Sequence, residues 1–144
     1  MLDRAVLDSD VLVAAVRSAR GASRVILIAA LEARYPVLAS VPLVLQYESV
    51  LTRPEHLEAA GISAADVAVL LDAIAVVVEP IRISYLWRPT LPDPGDDLVL
   101  ETAVNGGADI LVTFNRHDFE PAAERFGIEI VTPADAVRRL ETPS

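Results

Sequence analysis

A chain of 144 residues, of which 53% are hydrophobic, is long enough to bury the core of one domain over residues 1–144 and too apolar to stay disordered. The absence of cysteine excludes disulfides, thiolate metal sites and cysteine nucleophiles. No apolar run reaches the ~18 residues of a membrane span and no secretion signal opens the sequence, so we expect a cytoplasmic protein with no membrane partner.

The charge balance is acidic. Twelve basic residues, all of them arginine, stand against 21 acidic ones, which gives a net charge of −9. Such a chain is poorly suited to holding nucleic acid by bulk electrostatics, because phosphate contacts with cations supply most non-specific affinity. Two explanations of the acidic excess stay open at this point: it serves solubility, or some of the acids are ligands whose charge a cation cancels.

Apolar runs of strand length alternate with helical patterns from residue 4 onward. Ser40 caps a helix that runs to about Thr52, and Ser63 with Asp66 forms the capping-box pattern that opens a long apolar helix to about Val76. The other elements predicted in this half are strands at residues 4–7 and 35–39 and helices at residues 11–16 and 22–33.

The second half continues the alternation. A Pro-rich loop separates a predicted strand at residues 77–83 from a helix at residues 96–105, which Gly106 and Gly107 close. The remaining predictions are strands at residues 109–113 and 128–131, a short helix at residues 122–125, and a last helix that Thr132 caps and that ends at Leu140. Because the strands are continuously apolar and alternate with helices, the sequence indicates an α/β fold with a parallel sheet covered on both faces.

Acidic residues follow the predicted strands at one edge of this sheet. Ligands of parallel sheets bind beyond the carboxyl ends of the strands, so this edge is the expected site. The residues placed there are Asp8 and Asp10 after the first strand, Asn115 and Asp118 after the strand at residues 110–113, and Asp93, Asp96 and Asp97 around the start of the preceding helix.

Glu48 is a further candidate, on the helix after Ser40. Its neighbours Val44, Leu45 and Leu51 are apolar and are expected to face the core, which predicts that Glu48 lies beside the apolar stripe. A solvated helix position is the alternative for Glu48, and helix capping is the alternative for Asp10 and Asp97.

Carboxylates that converge on one site repel one another, and a hard divalent cation removes that penalty. Mg²⁺ and Mn²⁺ prefer oxygen ligands, and a site of this kind activates water and holds a phosphate during in-line displacement. The acidic edge therefore indicates a metal-dependent phosphoesterase or nuclease.

Four motifs, in this order along the chain, resemble those of the PIN-domain family. They are VLDSDVL at residues 6–12, LQYESVL at residues 45–51, DPGDD at residues 93–97 with Leu100, Glu101 and Ala103, and GADILVTFNRHDF at residues 107–119. The resemblance extends from residue 4 to about residue 140 and is closest to VapC-like ribonucleases, the toxins of bacterial toxin–antitoxin pairs. It implies a three-layer α/β/α sandwich around a mostly parallel sheet of about five strands. It also implies an Mg²⁺- or Mn²⁺-dependent endoribonuclease that forms a homodimer and binds a cognate antitoxin.

By position, the resemblance implies a catalytic and metal-binding set. Asp8 is expected to be the primary ligand, Glu48 and Asp96 to complete the core acidic set, and Asp93 and Asp118 to act as auxiliary ligands. Metal-bound water is expected to be the nucleophile, so no side chain needs to attack the substrate.

Four further residues are expected to support these ligands. Ser9 and Thr113 would orient the carboxylates through hydrogen bonds. Asn115 stands where many relatives carry an acid, and Asp10 stands where asparagine is usual. These two departures put the number of bound metals in question more than the fold.

The prediction of substrate contacts is weaker. Arg116 and Arg88 are candidates for RNA phosphate contacts, and Trp87 or Tyr85 for base stacking, although a packed loop explains the second pair equally well. His117 is a candidate ligand or acid, but a histidine beside a polar turn usually has neither role.

Four classes of function share parts of this pattern. Aspartyl-phosphate chemistry is disfavoured, because it resembles this pattern only in its Asp-x-Asp motif and relies on a lysine that this chain lacks. A PIN fold without catalysis, acting as a protein-binding module, stays open, as does a metal-dependent phosphoesterase of another substrate class. The ribonuclease hypothesis accounts for the largest number of residues.

Overall fold

Strands and helices alternate along most of the described chain. The computed structural model describes residues 3–84 and 94–141, with the backbone alone at residues 94, 95 and 122. The first half contains β1 (Ala5–Leu7), α1 (Ser9–Arg17), α2 (Ala22–Leu31), β2 (Leu38–Ala39), α3 (Val41–Leu51), α4 (Pro54–Ala60) and α5 (Ala64–Val77). The second half contains β3 (Glu79–Pro80), α6 (Pro94–Gly106), β4 (Ile110–Val112), α7 (Arg116–Phe126), β5 (Glu129–Val131) and α8 (Pro133–Glu141).

All pairings between the described strands are parallel. One group has the order β1-β4-β5, and β2 pairs with β3. A parallel bridge between Ala5 and Val37 joins the two groups, so the five strands follow the order β3-β2-β1-β4-β5. Helices cover both sides of this layer, which confirms the predicted α/β/α sandwich with a parallel sheet of about five strands.

The sheet is buried on both faces, as its continuous apolar strands predict. All three residues of β1 and all three of β4 are buried. Around them one connected cluster of buried hydrophobic side chains includes Leu12 on α1, Leu43 on α3 and Leu100 on α6. Helices from both halves of the chain are thereby held against the carboxyl ends of β1 and β4.

Two predicted helix caps are confirmed. The Ser40 hydroxyl accepts a hydrogen bond from the backbone N–H of Leu43 at 3.3 Å, at the start of α3. Ser63 and Asp66 form the reciprocal capping box at the start of α5, with donor–acceptor distances of 2.9 and 3.2 Å. These caps satisfy N–H groups that a helix otherwise leaves without partners.

Two helices differ from the prediction. No helix was predicted directly after Thr52, but Pro54 is the first residue of α4, where its missing N–H costs nothing. The short helix predicted at residues 122–125 begins earlier, at Arg116, and contains Pro121 in its interior. A proline inside a helix removes one hydrogen bond and usually ends the helix, which is why sequence reasoning placed a boundary there.

Within residues 3–84 and 94–141 no single helix has the length and apolar character of a membrane span. The pair α4 and α5, bent by 88° at the break between them, passes that test of length and composition only when the two are taken together.

Candidate active site

The carboxyl ends of β1 and β4 open into a cavity of about 710 Å³. Helices α1, α3, α4 and α6 supply further walls. The described side chains that line the cavity are those of Asp8, Ser9, Asp10, Val13, Pro42, Leu45, Gln46, Ser49, Val50, Arg53, His56, Asp96, Leu98 and Asn115. The cavity therefore lies at the edge of the sheet where a parallel α/β fold is expected to bind its ligand.

Asp8 and Thr113 lie side by side because the strands before them are paired. Leu7 and Val112 are partners in the register of β1 and β4, and the Asp8 N–H continues the ladder by donating to the Val112 carbonyl at 2.9 Å. The buried Thr113 hydroxyl donates to Asp8 Oδ2 at 2.7 Å. Since Asp8 is only 4% exposed, this hydrogen bond orients a carboxylate that solvent hardly reaches.

Asp10 turns towards the same strand end from the first turn of α1. Its Oδ2 accepts hydrogen bonds from the Phe114 N–H and from Asn115 Nδ2, both at 3.2 Å, and lies 3.5 Å from Thr113 Oγ1. Its other oxygen, Oδ1, is buried and has no hydrogen-bond partner among the described residues. A buried acceptor without a partner is costly, which indicates that this oxygen is positioned for a ligand that the protein itself does not supply.

The electrostatics of Asp10 follow from this position. Burial, and then the neighbouring Asp8 carboxylate, raise the pKa of Asp10 from 3.8 to about 7, against the lowering effect of its hydrogen bond with the Phe114 N–H. Two carboxylates that share a buried site cannot both be charged without cost. A cation between Asp8 and Asp10 would remove that cost.

Asp96 reaches the cavity from the first turn of α6 and is 7% exposed. Two more acids of the same helix, Asp97 and Glu101, are also buried, with 6% and 2% exposure. Next to them, the Thr102 hydroxyl and the Ser40 hydroxyl form a hydrogen bond of 2.7 Å that ties α6 to the start of α3. The helix that carries Asp96 is therefore anchored to the opposite wall of the cavity.

The structure places Glu48 away from the apolar stripe of α3. Leu43, Tyr47 and Leu51 form the buried face of α3, and Leu45, Gln46 and Ser49 line the cavity. Glu48 lies on a third, exposed face of the helix, and it is not among the side chains that line the cavity. Leu45, which was expected to face the core, is 59% exposed, so the apolar residues around Glu48 did not define the buried stripe.

Gln46, and not Glu48, lies on the face of α3 that lines the cavity. Its amide nitrogen Nε2 donates to Ser9 Oγ at 3.2 Å, and Ser9 is the residue between Asp8 and Asp10. Ser9 is itself buried, with 6% exposure. The α3 wall therefore presents a neutral amide to the two carboxylates rather than a third negative charge.

The structure also moves two residues of α7 away from the site. Asp118 is exposed and is not among the residues that line the cavity. Arg116 is exposed and forms an ion pair with Glu120, with a distance of 3.5 Å between Nε and Oε1. Asn115, at the N-terminus of α7, is the residue of this segment that lines the cavity. Asp93 and Arg88 lie outside the described residues.

Sequence reasoning missed four lining residues of the α3–α4 wall: Gln46, Ser49, Arg53 and His56. The spacing of Pro42, Gln46 and Ser49 is that of one helical face and could have indicated the first two. Arg53 and His56 were missed because α4 itself was not predicted.

The oxygen donors at the strand end fit a hard divalent cation. Among residues 3–84 and 94–141, no three acidic or histidine side chains have the mutual spacing of a complete metal-ligand cluster. Mg²⁺, however, is often held by one or two carboxylates and keeps several water ligands. The carboxylates of Asp8 and Asp10, with the buried and unpartnered Asp10 Oδ1, match that requirement.

Comparison with known families agrees with this geometry. The sequence profile of the PIN domain matches residues 4–117, which is most of the chain. The chain therefore belongs to the PIN-domain family, and the predicted membership is confirmed. PIN domains are generally nucleases, and the family generally uses divalent metal ions.

The fold is also similar to that of a solved structure. The match is to a chain of VapBC2 from Rickettsia felis, in a crystal structure bound to a DNA fragment from the promoter of these proteins. The TM-score is 0.57 and the identity 14%, and the match covers 90% of this chain and 98% of that chain. At this identity the likeness shows the fold alone. No curated protein sequence matches the chain.

Proposed function

We propose that this protein is a divalent-metal-dependent endoribonuclease and the toxin of a toxin–antitoxin pair. The observation that carries the proposal is the Asp8–Asp10 pair. These two carboxylates lie side by side at the end of β1, one of their oxygens is buried without a partner, and they line an open cavity of about 710 Å³. Membership in a family of metal-using nucleases supports the assignment of this pair to a nuclease site.

Each residue has a distinct role in this proposal. Asp8 and Asp10 would hold Mg²⁺ or Mn²⁺, and Asp96 would approach the same cation from α6. A bound cation would supply Lewis-acid activation of water and offset the charge of the phosphate. Thr113 keeps the Asp8 carboxylate in one orientation by donating to Oδ2, and Asn115 and the Phe114 N–H do the same for Asp10.

The proposed substrate is RNA, and the proposed partner is a cognate antitoxin. The structural neighbour VapBC2 supports the second part by its fold. Exposed apolar side chains offer surfaces for an antitoxin or for a second copy of the chain, with Val41 and Leu45 on α3 exposed by 73% and 59%, and Val69 and Val76 on α5 by 70% and 84%. A homodimer and a cytoplasmic location remain predictions, and light scattering coupled to size exclusion checks the first.

One observation favours a second candidate, a PIN fold that binds proteins without cleaving RNA. The α3 residues that line the cavity include Gln46 and no acid, so α3 contributes no negative charge to the site. Binding of Mn²⁺ separates the two candidates, because a binding-only module has no use for the Asp8–Asp10 pair as ligands.

The experiment that tests the proposed function is cleavage of a mixed single-stranded RNA with Mn²⁺ or Mg²⁺, with EDTA, and with the variant Asp8→Asn. We expect cleavage by the wild-type chain, none in EDTA, and a loss of at least ~100-fold in Asp8→Asn. Asp72→Asn, which removes the same charge from an exposed position of α5, serves as the matched control and should cleave like wild type. Cleavage that survives EDTA, or that Asp8→Asn leaves intact, contradicts the proposal.

A further inference from the structure

The cavity extends well beyond its carboxylates, along the wall that α3 and α4 form. Gln46 contacts Ser9 beside the Asp8–Asp10 pair, and Arg53 lies seven residues further along the chain. Arg53 lies beyond the end of α3 and is the N-cap residue of α4, so it belongs to a separate element of this wall. The cavity of about 710 Å³ therefore carries polar groups on the α4 side as well as the carboxylates at the strand end.

Arg53 gives this part of the wall a positive charge. It is exposed, it lines the cavity, and it is the only arginine among the described lining residues, which otherwise include three aspartates. Within residues 3–84 and 94–141 its guanidinium has no ion-pair partner, even though acidic residues outnumber basic ones by 21 to 12 in the chain. A planar guanidinium without a carboxylate partner is suited to a bidentate contact with phosphate.

His56 lies one helical turn after Arg53 and lines the same cavity. Its Nδ1 atom is buried and has no hydrogen-bond partner among the described residues. Burying an N–H donor without an acceptor is costly, so the tautomer that carries its hydrogen on Nε2 is favoured. Nε2 is then the nitrogen left to donate to a ligand in the cavity.

Apolar side chains also line the cavity. Leu45, Val50 and Val13 line the cavity together with the polar groups. Apolar side chains of this kind pack against the faces of ribose and unstacked bases, whereas a duplex keeps its bases inside.

We propose that Arg53 and His56 form a second phosphate subsite, which holds a phosphate neighbouring the scissile one in single-stranded RNA. The inference rests on the proposed function for its substrate. Arg53 contributes the charge and a forked pair of donors, and His56 contributes one N–H. The subsite offsets the negative charge of the carboxylates and fixes the direction in which the strand crosses the cavity.

The test measures binding rather than cleavage, so that it stands apart from the proposed function. The probe is a 5′-fluorescein-labelled single-stranded octaribonucleotide, titrated with the full chain in EDTA at several NaCl concentrations and followed by fluorescence anisotropy. We expect Arg53→Gln to weaken binding ~10-fold and to make the slope of log K against log[NaCl] less negative by ~0.7, the value for one lost phosphate contact on a single strand. Arg53→Lys, which keeps the charge, should keep the slope.

Arg34→Gln is the matched control, because Arg34 is exposed, does not line the cavity, and carries the same charge. It should bind the probe with the wild-type slope. A second readout uses the two histidines of the chain, since adding the octaribonucleotide should shift the ring signals of His56 in NMR spectra and leave those of exposed His117 unchanged.

Three results would overturn the inference: equal affinities and slopes for Arg53→Gln and Arg34→Gln, ring signals of His56 that do not move, or equal binding of a duplex of the same length. If the binding results are as expected but the wild-type chain does not cleave RNA with Mn²⁺, the proposed function is contradicted and the subsite is still supported.

Discussion

The cavity has a strand-end wall and a helical wall, and different structural features fix the positions of their side chains. The strand-end wall comprises Asp8, Asp10, Thr113 and Asn115. Its carboxylates accept hydrogen bonds from the Thr113 hydroxyl, the Asn115 amide and the Phe114 N–H, and the pairing of β1 with β4 places the residues within reach of one another. The positions of these groups are therefore fixed by the sheet itself.

The helical wall comprises Gln46, Ser49, Arg53 and His56. Its orientation depends on the rotation of α3 about its own axis, which the buried Tyr47 fixes by donating its hydroxyl to the Leu7 carbonyl. Burial, and then the nearby Asp8 charge, raise the pKa of Tyr47 well above its ordinary value, so the hydroxyl stays a donor. Gln46 links the two walls by donating a hydrogen bond to Ser9, the residue between Asp8 and Asp10.

We infer from this difference that the two walls have different functions. Chemistry at a metal requires carboxylates in a fixed geometry, and the rigid sheet edge provides it. Recognition of a flexible RNA strand tolerates more variation, and the helical wall, with one cation and several apolar side chains, is suited to that task. Variants of each wall test whether the strand-end wall serves the metal chemistry and the helical wall serves RNA binding.

The largest effect is expected at the strand-end wall. Thr113→Val removes the hydrogen bond to the buried Asp8 carboxylate and should lower kcat/KM for RNA cleavage ~10- to 100-fold, with a similar loss of Mn²⁺ affinity, because the carboxylate loses its orientation. Thr113→Ser keeps the hydroxyl and should restore most of the activity. Wild-type rates in Thr113→Val would show that the hydrogen bond has no part in catalysis.

A charge placed on the helical wall should have an intermediate effect. Gln46→Glu brings a third carboxylate towards Asp8 and Asp10, so it should lower the melting temperature in EDTA and raise the Mn²⁺ affinity ~10-fold. Melting curves with and without Mn²⁺ measure both changes. If Gln46→Glu melts like wild type in EDTA and binds Mn²⁺ no more tightly, then α3 does not face the carboxylates.

A smaller effect concerns the pH dependence of the metal-free protein. The folded-state pKa of Asp10 is about 7 and its ordinary value is 3.8, so folding favours the protonated carboxyl. The stabilisation from this group is complete below the ordinary pKa and is lost as the pH rises through about 7. In EDTA, Asp10→Asn should remove this dependence and raise the melting temperature at pH 8 by roughly 3 °C or more.

The control for this prediction is the same comparison at pH 4, where the difference between Asp10→Asn and wild type should shrink. Added Mn²⁺ should stabilise wild type at pH 8 and reduce the advantage of the variant. A variant that is less stable than wild type at pH 8 in EDTA would contradict the assigned cause of the raised pKa.

The strand-end wall could be predicted from the sequence because the positions of its residues depend only on where two neighbouring strands end. An apolar strand that ends in Asp8, and a second that ends before Thr113 and Asn115, must bring those residues to one edge if the strands are parallel and adjacent. The five strands and the caps at Ser40 and Ser63 followed from equally local patterns.

The helical wall could not be predicted because its geometry depends on tertiary packing. Apolar residues occur on more than one face of α3, since Val41 and Leu45 are exposed while Leu43 and Leu51 are buried. The sequence pattern therefore does not fix the rotation of the helix, and Glu48 was placed on the wrong face. The helix α4 was not predicted, because Pro54 can mark either the end of one helix or the start of the next.

The most direct test of the account is calorimetric titration of the metal-free chain with Mn²⁺, comparing wild type, Asp8→Asn and Glu48→Gln. We expect wild type and Glu48→Gln to bind with affinities within ~2-fold of each other and Asp8→Asn to lose binding, because Asp8 belongs to the strand-end wall and Glu48 lies on an exposed face outside the cavity. Equal binding by Asp8→Asn, or loss of binding in Glu48→Gln, would contradict it.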